Sequence, residues 1–222
     1  MASGPSTAGA GRARFELAFV LACTLAAEWA VLPLFGRSAL AFGVPTLAAL
    51  AFMFVSHRRR GEGARRLGFG LDNFPRSLLL LAPPMAVCAA SLYAGGRLLW
   101  GAGPARFRPG WGLAAALFWL FLWGLLQQYA LQAFINRRAQ ELWGAGARSV
   151  VFTAVVFALL HAPNLWLMLA TFAGGLLWAW VYQRAPNLFA LALSHCLMTV
   201  ALVSTVPNSL LHGMRVGAGY FR

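Results

Sequence analysis

Apolar residues along this chain gather into long runs separated by short polar segments, and the runs cover residues 15–35, 39–55, 78–99, 111–135, 150–160, 165–182 and 188–206. A helix that crosses a bilayer needs about 20 apolar residues, and all but the 150–160 run approach that length. The pattern predicts an all-α, polytopic membrane helix bundle of about seven transmembrane helices. The short 150–160 run is expected to be tilted, broken or extended through His161. Pro83-Pro84 is expected to bend the third span, and Gly174-Gly175 to let a neighbour approach the sixth. Residues 1–14 are rich in Gly, Ala and Ser and read as a disordered tail. Residues 15–66 then hold two spans and a basic loop, 67–206 a membrane core, and 207–222 a C-terminal tail. A basic tail before an apolar run resembles a secretory signal, but the run is too long for one and reads as a retained anchor.

The polar side chains within these runs fall at helical spacing. Gln128 and Gln132, Phe157 and His161, and His195 and Thr199 are each four residues apart, which puts each pair on one helix face. Polar groups at membrane depth are costly and usually face a protein interior or cavity. One shared polar intramembrane chamber is the expectation, with Gln127 beside Gln128. Glu28 is an acid inside a span and a candidate by the same rule, either protonated, paired with Arg37, or reaching the chamber as a base. Each of these residues also has a purely structural reading. The three glutamines can bond neighbouring helices, Thr199 the backbone of its own helix, and the histidines each other. Phe157 and the tryptophans read first as packing, and Asn164 after Pro163 as a turn residue.

Composition sharpens the class. The 222 residues are 60% hydrophobic and only 10% charged, a balance foreign to soluble domains. Mean hydropathy is +0.69. Against 5 acidic residues stand 18 basic ones, all arginine, for a net charge of +13. These arginines lie between apolar runs and form no basic face with an aromatic platform, which argues against nucleic acid and for anionic membrane lipid. With seven spans, Arg12, Arg14, Arg58 to Arg60, Arg65, Arg66, Arg76, Arg137, Arg138, Arg148 and Arg184 share one side. Arg37, Arg97, Arg106, Arg108, Arg215 and Arg222 share the other. The positive-inside rule makes the first side cytoplasmic, with the N-terminus. Cys23, Cys88 and Cys196 sit in apolar stretches without C-x-x-C spacing and read as packed thiols.

From Trp123 the chain reads W-G-L-L-Q-Q-Y-A-L-Q-A-F-I-N-R-R, then V-V-F-A-L-L-H-A-P-N-L-W, then F-A-L-A-L-S-H-C-L-M-T. This resembles the CAAX-protease and bacteriocin-processing (CPBP) family, also called abortive-infection-type membrane proteins. The family pattern is Glu-Glu-x-x-x-Arg, then Phe-x-x-x-His, then His-x-x-x-Asn or Asp. Leu67-Gly68-Phe69 is similar to a short family element that precedes the core, so the resemblance covers roughly Leu67 to Val206. Phe157, His161 and His195 match. Gln127 and Gln128 stand in place of the two glutamates, Gln132 in place of arginine, and Thr199 in place of asparagine or aspartate.

The resemblance implies an intramembrane endopeptidase of a membrane-proximal peptide or CAAX-like tail, in the bacterial inner (plasma) membrane. In the family a glutamate is thought to activate the attacking water, while the histidines and the asparagine bind that water or the oxyanion. A carboxamide cannot accept that proton, and general-base help is worth about 10²–10⁴-fold. The expectation is therefore impaired or absent proteolysis, or a pseudo-peptidase that holds a peptide, lipidated protein or membrane protein. Acids and arginine are replaced together, which avoids a buried unpaired cation and keeps polarity. Either histidine can serve as a substitute base, its pKa being near neutral. Two histidines without a carboxylate or thiolate partner are a poor zinc set, so no metal or cofactor is expected. A solute carrier lacks its usual paired interrupted helices here.

Overall fold

The computed structural model describes residues 7–36, 38–101 and 111–222. Arg37, residues 1–6 of the tail, and Arg106 and Arg108 lie outside the described residues. Ten α-helices are present among those described: α1 (Thr7–Leu25), α2 (Leu32–Phe35), α3 (Ala39–Arg59), α4 (Phe74–Trp100), α5 (Trp111–Gln128), α6 (Arg137–Trp143), α7 (Ala147–Leu159), α8 (Leu165–Arg184), α9 (Leu188–Thr205) and α10 (Asn208–Leu211). π-Helical segments Ala26–Val31 and Tyr129–Asn136 interrupt the rods α1–α2 and α5–α6. No strand occurs among the described residues, and the class is all-α, as the hydrophobic pattern predicts.

Four helical stretches among the described residues are long and apolar enough to cross a membrane: Arg65–Trp100, Gly112–Trp143, Leu165–Arg184 and Leu188–Thr205. Ala147–Leu159 is a shorter apolar helix, matching the short fifth run. The α1–α2 rod and α3 coincide with the first two apolar runs. Helix α1 starts at Thr7, inside the stretch read as a disordered tail. Helix α4 continues through Pro83 and Pro84.

The chain divides into two compact units. The first comprises Met1–Gly63, Ala130–Trp180 and Arg215–Arg222, and the second Ala64–Tyr129 and Val181–Met214.

In the first unit α1 packs on α3 and α6. It buries Ala13, Glu16, Leu17 and Val20, an i, i+3, i+4, i+7 stripe, and α3 answers with Ala49, Met53, Ser56 and His57. Glycine sets the approach of α7 and α8, because a Cβ on Gly175 would lie 2.9 Å from Ala154 Cα. At one end of the unit an ion-pair cluster closes the bundle. Fully buried Arg138 pairs with Glu16 at 2.7 Å, Glu62 at 2.7 Å and Glu141 at 2.9 Å. Its guanidinium carbon also lies 4.9 Å from the centre of the Phe134 ring. Arg60 bridges Glu16 and Glu141, Arg137 holds Glu62, and His57 Nδ1 lies 2.7 Å from Glu62. Ser56 donates its hydroxyl to Glu16. Buried charges persist where pairing and hydrogen bonds compensate their desolvation, and here three carboxylates serve one buried cation. Arg60, Arg137 and Arg138 are thus internal partners, where the charge pattern had suggested lipid-facing loops. The cluster does bring together residues that the arginine pattern assigns to one side.

In the second unit α9 packs between α4 and α5. Asn187 caps α9 by accepting from Ala190 N–H at 2.8 Å, and its amide donates to Gly70 O at 2.6 Å. Tyr182 donates its hydroxyl to Leu67 O at 3.0 Å. Gly68, at φ 95°, lies against the 186–188 backbone, where a Cβ would come within 3.2 Å of Leu188 N. The Leu67-Gly68-Phe69 element therefore docks at the start of α9.

Candidate functional site

Helices α5 and α9 carry the first part of the site. Gly124 lets them meet, since a Cβ there would sit 3.3 Å from Ala192 O and 3.5 Å from His195 Cβ. One turn later Gln128 is fully buried and its Nε2 lies 3.3 Å from His195 Nδ1. With the amide donating, Nδ1 accepts, and the neutral ring carries its proton on Nε2. The carbonyl oxygens of both Gln127 and Gln128 are buried without a hydrogen-bond partner. An unsatisfied buried acceptor costs about 1–3 kcal/mol, so these two oxygens are suited to hold a water or a peptide N–H. Thr199 lies one turn beyond His195, half-buried.

Gln132 belongs to the π-helical segment that begins directly after Gln128. It is fully buried and accepts from Asn136 Nδ2 at 2.9 Å. Asn136 also donates to Ala179 O at 3.3 Å and accepts from Gln140 at 3.2 Å. The result is a ladder of three amides, with Gln132 Nε2 left as a buried donor without a partner. Sequence reasoning missed Asn136 and Gln140, although each continues the four-residue spacing from Gln132. A π-turn within an α-helix often marks a functional site, and here it carries Gln132.

His161 lies just past the end of α7, where the last carbonyls of a helix lack partners. Its Nδ1 is 2.8 Å from Phe157 O and donates to it, which leaves Nε2 as an acceptor. The Phe157 ring stands edge-on to the imidazole at 4.8 Å and packs against Trp178. The His161–Asn164 turn contains a cis Ala162–Pro163 bond. Asn164 Oδ1 accepts from Leu167 N–H at 3.3 Å, capping α8, and its amide donates to Arg215 O at 3.2 Å. Gly217 N donates to Ala162 O at 2.8 Å. The same glycine lies against Glu28, where a Cβ would be 2.6 Å from the Glu28 carbonyl oxygen. Glu28 sits in the π-helical Ala26–Val31 segment with one carboxyl oxygen buried and without a partner. The C-terminal strap thus joins the neighbourhood of Glu28 to the turn that carries His161.

Gln127, Gln128, His195 and Thr199 fall in the second unit, and Gln132, Phe157, His161, Asn164 and Glu28 in the first. Among the described residues no group of three His, Cys, Asp or Glu is placed to hold a metal ion.

The long apolar helices define an integral membrane protein of the α-helical class. Residues 107–201 match the family model described as type II CAAX prenyl endopeptidase Rce1-like. That segment contains every motif position from Gln127 to Thr199, and the match agrees with the resemblance to the CAAX-protease family read from the motifs. No curated protein and no solved structure matches the chain.

Proposed function

We propose that this protein is an intramembrane endopeptidase homologue directed at a membrane-proximal peptide or CAAX-like tail, with proteolysis crippled at the base. The observation that carries the proposal is the Gln128–His195 pair, in which a neutral amide occupies the motif position of the carboxylate. The family reaction needs a group that takes a proton from water as the oxygen attacks the peptide carbonyl, and then returns a proton to the leaving amine. Gln127 and Gln128 can orient the water through their carbonyl oxygens but cannot take its proton. In the second unit His195 accepts at Nδ1 and carries its proton on Nε2, and in the first unit His161 donates from Nδ1 and carries a lone pair on Nε2. Any remaining hydrolysis needs a base other than these two amides, and substitution of His161 and of Glu28 tests the two candidates.

The second reading is a pseudo-peptidase that binds without cutting. It is favoured by the orphaned polar atoms of Gln127, Gln128 and Gln132, which keep hydrogen-bonding capacity without fixed charge. The arginine asymmetry supports a plasma-membrane protein with a cytoplasmic N-terminus.

The deciding experiment is cleavage in reconstituted membranes by the natural protein, by Gln127→Glu/Gln128→Glu/Gln132→Arg, and by His161→Ala. Cutting by the natural protein that stops in His161→Ala establishes a histidine-based peptidase. Silence in the natural protein beside activity in the triple variant establishes the binding role. Cutting that persists in His161→Ala and stops in Glu28→Gln moves the base to Glu28.

A further inference from the structure

Between α1 and α3 lies an open groove of about 490 Å³, lined by Arg12, Phe15, Glu16, Phe52, Val55 and Arg59 among others. The two helices build it alike. On α1, Arg12 and Phe15 are three apart. On α3, Phe52, Val55 and Arg59 follow at i, i+3 and i+7, so each helix sets an arginine and an apolar lane on one face. The floor is aromatic, with the Phe52 ring 4.3 Å from Phe19 and 6.1 Å from Phe15. Phe15 is 62% exposed, so the lane opens outward toward the lipid.

The charge in the groove is positive despite Glu16. That carboxylate is engaged from behind by Arg60 at 2.8 Å and Arg138 at 2.7 Å. Arg12 touches Glu16 through Nε at 3.1 Å, so its two terminal nitrogens are left for other partners. Arg59 is exposed and has no ion pair among the described residues. Two cations at one end of an apolar lane match an amphiphile with an anionic head. A soluble anion would leave the aromatic walls unused, and an apolar ligand would leave the arginines unused.

We propose that this groove binds one anionic phospholipid, with its phosphate between Arg12 and Arg59 and an acyl chain along Phe15, Phe52 and Val55. None of the residues that line the groove is a candidate peptidase residue, and the proposal does not depend on the functional reading above.

Native mass spectrometry of the purified full chain tests it, using phosphatidylglycerol and phosphatidylcholine with identical acyl chains. One phosphatidylglycerol should stay bound while phosphatidylcholine dissociates. Arg59→Gln and Arg12→Gln should each weaken retention about fivefold, whereas Arg148→Gln, near the start of α7, should leave it unchanged. Equal retention of the two lipids, or equal weakening by Arg148→Gln, overturns the site. Because Arg12 also bonds Glu16, a second measurement uses the unaltered protein. Phosphatidylglycerol with a photoreactive acyl chain should cross-link to the peptides bearing Phe15 and Phe52, and cross-links confined to other helices overturn the proposal as well.

Discussion

The side-chain nitrogen of Gln128 lies 3.3 Å from Nδ1 of His195, so an amide holds the imidazole at the position where the family pattern has a carboxylate. The pair fixes which ring nitrogen carries the proton. An amide N–H donates into Nδ1 and leaves the proton on Nε2, whereas a carboxylate would accept from Nδ1–H. Gln128→Glu should therefore move the His195 proton from Nε2 to Nδ1. Nitrogen-15 chemical shifts of labelled histidine read this directly, and a tautomer unchanged by the substitution would show that Gln128 does not orient the ring.

Arg138 is a fully buried cation of the first unit, with three carboxylates around it. Arg138→Met removes the partner and leaves acids behind, a change that costs about 3–5 kcal/mol where the pair is buried. Arg138→Lys should recover only part of the loss, because an ammonium cannot reproduce the forked contacts to Glu16, Glu62 and Glu141. Thermal unfolding in detergent measures both, with Arg148→Met as the exposed control. A shift no larger than that control would remove the cluster from the account of stability.

Glu62 predicts the pH dependence of that stability. Burial alone would raise its pKa, but hydrogen bonds from His57, Arg138 and Arg137, with the charge of Arg138, outweigh burial and hold the carboxyl far below its ordinary value of 4.5. A depressed carboxylate pKa means that the unfolded chain binds the proton first as pH falls. The Glu62 contribution is therefore complete above the ordinary carboxylate range and is lost progressively below it. Melting temperature should fall between pH 6 and pH 3, values chosen to bracket roughly that range, and the fall should be shallower in Glu62→Gln. An identical slope in the variant would assign acid sensitivity to other groups.

Much of this arrangement was legible beforehand and some of it was not, for identifiable reasons. Helices α8 and α9 fall within two residues of the apolar runs that predict them, because long apolar runs in a bilayer have few alternatives. The Gly174-Gly175 expectation holds in the contact of Gly175 with Ala154. The four-residue pairs fare differently. Gln128 and Gln132 were assigned one face on the assumption of α-helical period, but the π-helical segment starts at Tyr129. Gln128 bonds His195, while Gln132 bonds Asn136. Phe157 and His161 do meet, yet as a cap, because α7 ends at Leu159. Of the Arg138 cluster only the pair with Glu141, three residues on, is local. Its partners Glu16 and Glu62 lie far away in sequence, and no periodicity within one helix encodes such a meeting.

Gly217 is held at φ 55° against Glu28. Gly217→Ala adds a methyl group where the Glu28 carbonyl already stands and strains a left-handed backbone, a combined cost of about 1–3 kcal/mol. The hydrogen bond from Gly217 to Ala162 should open, seen as faster amide exchange at residue 217 and earlier proteolytic removal of residues 215–222. Unchanged exchange would mean that the strap is held elsewhere.

The cluster around Arg138 also imposes an order in time. Synthesis runs from the N-terminus, so Glu16, His57, Arg60 and Glu62 are made while Arg138, 76 residues after Glu62, is still to come. Glu16 can meet Arg60, and Glu62 can meet His57, within the first helical hairpin. That hairpin enters the bilayer as a half-filled socket, and the later arginine is the plug. A chain halted before residue 137 would hold Glu62 without either of its two arginines, and would be chemically distinguishable from a finished one.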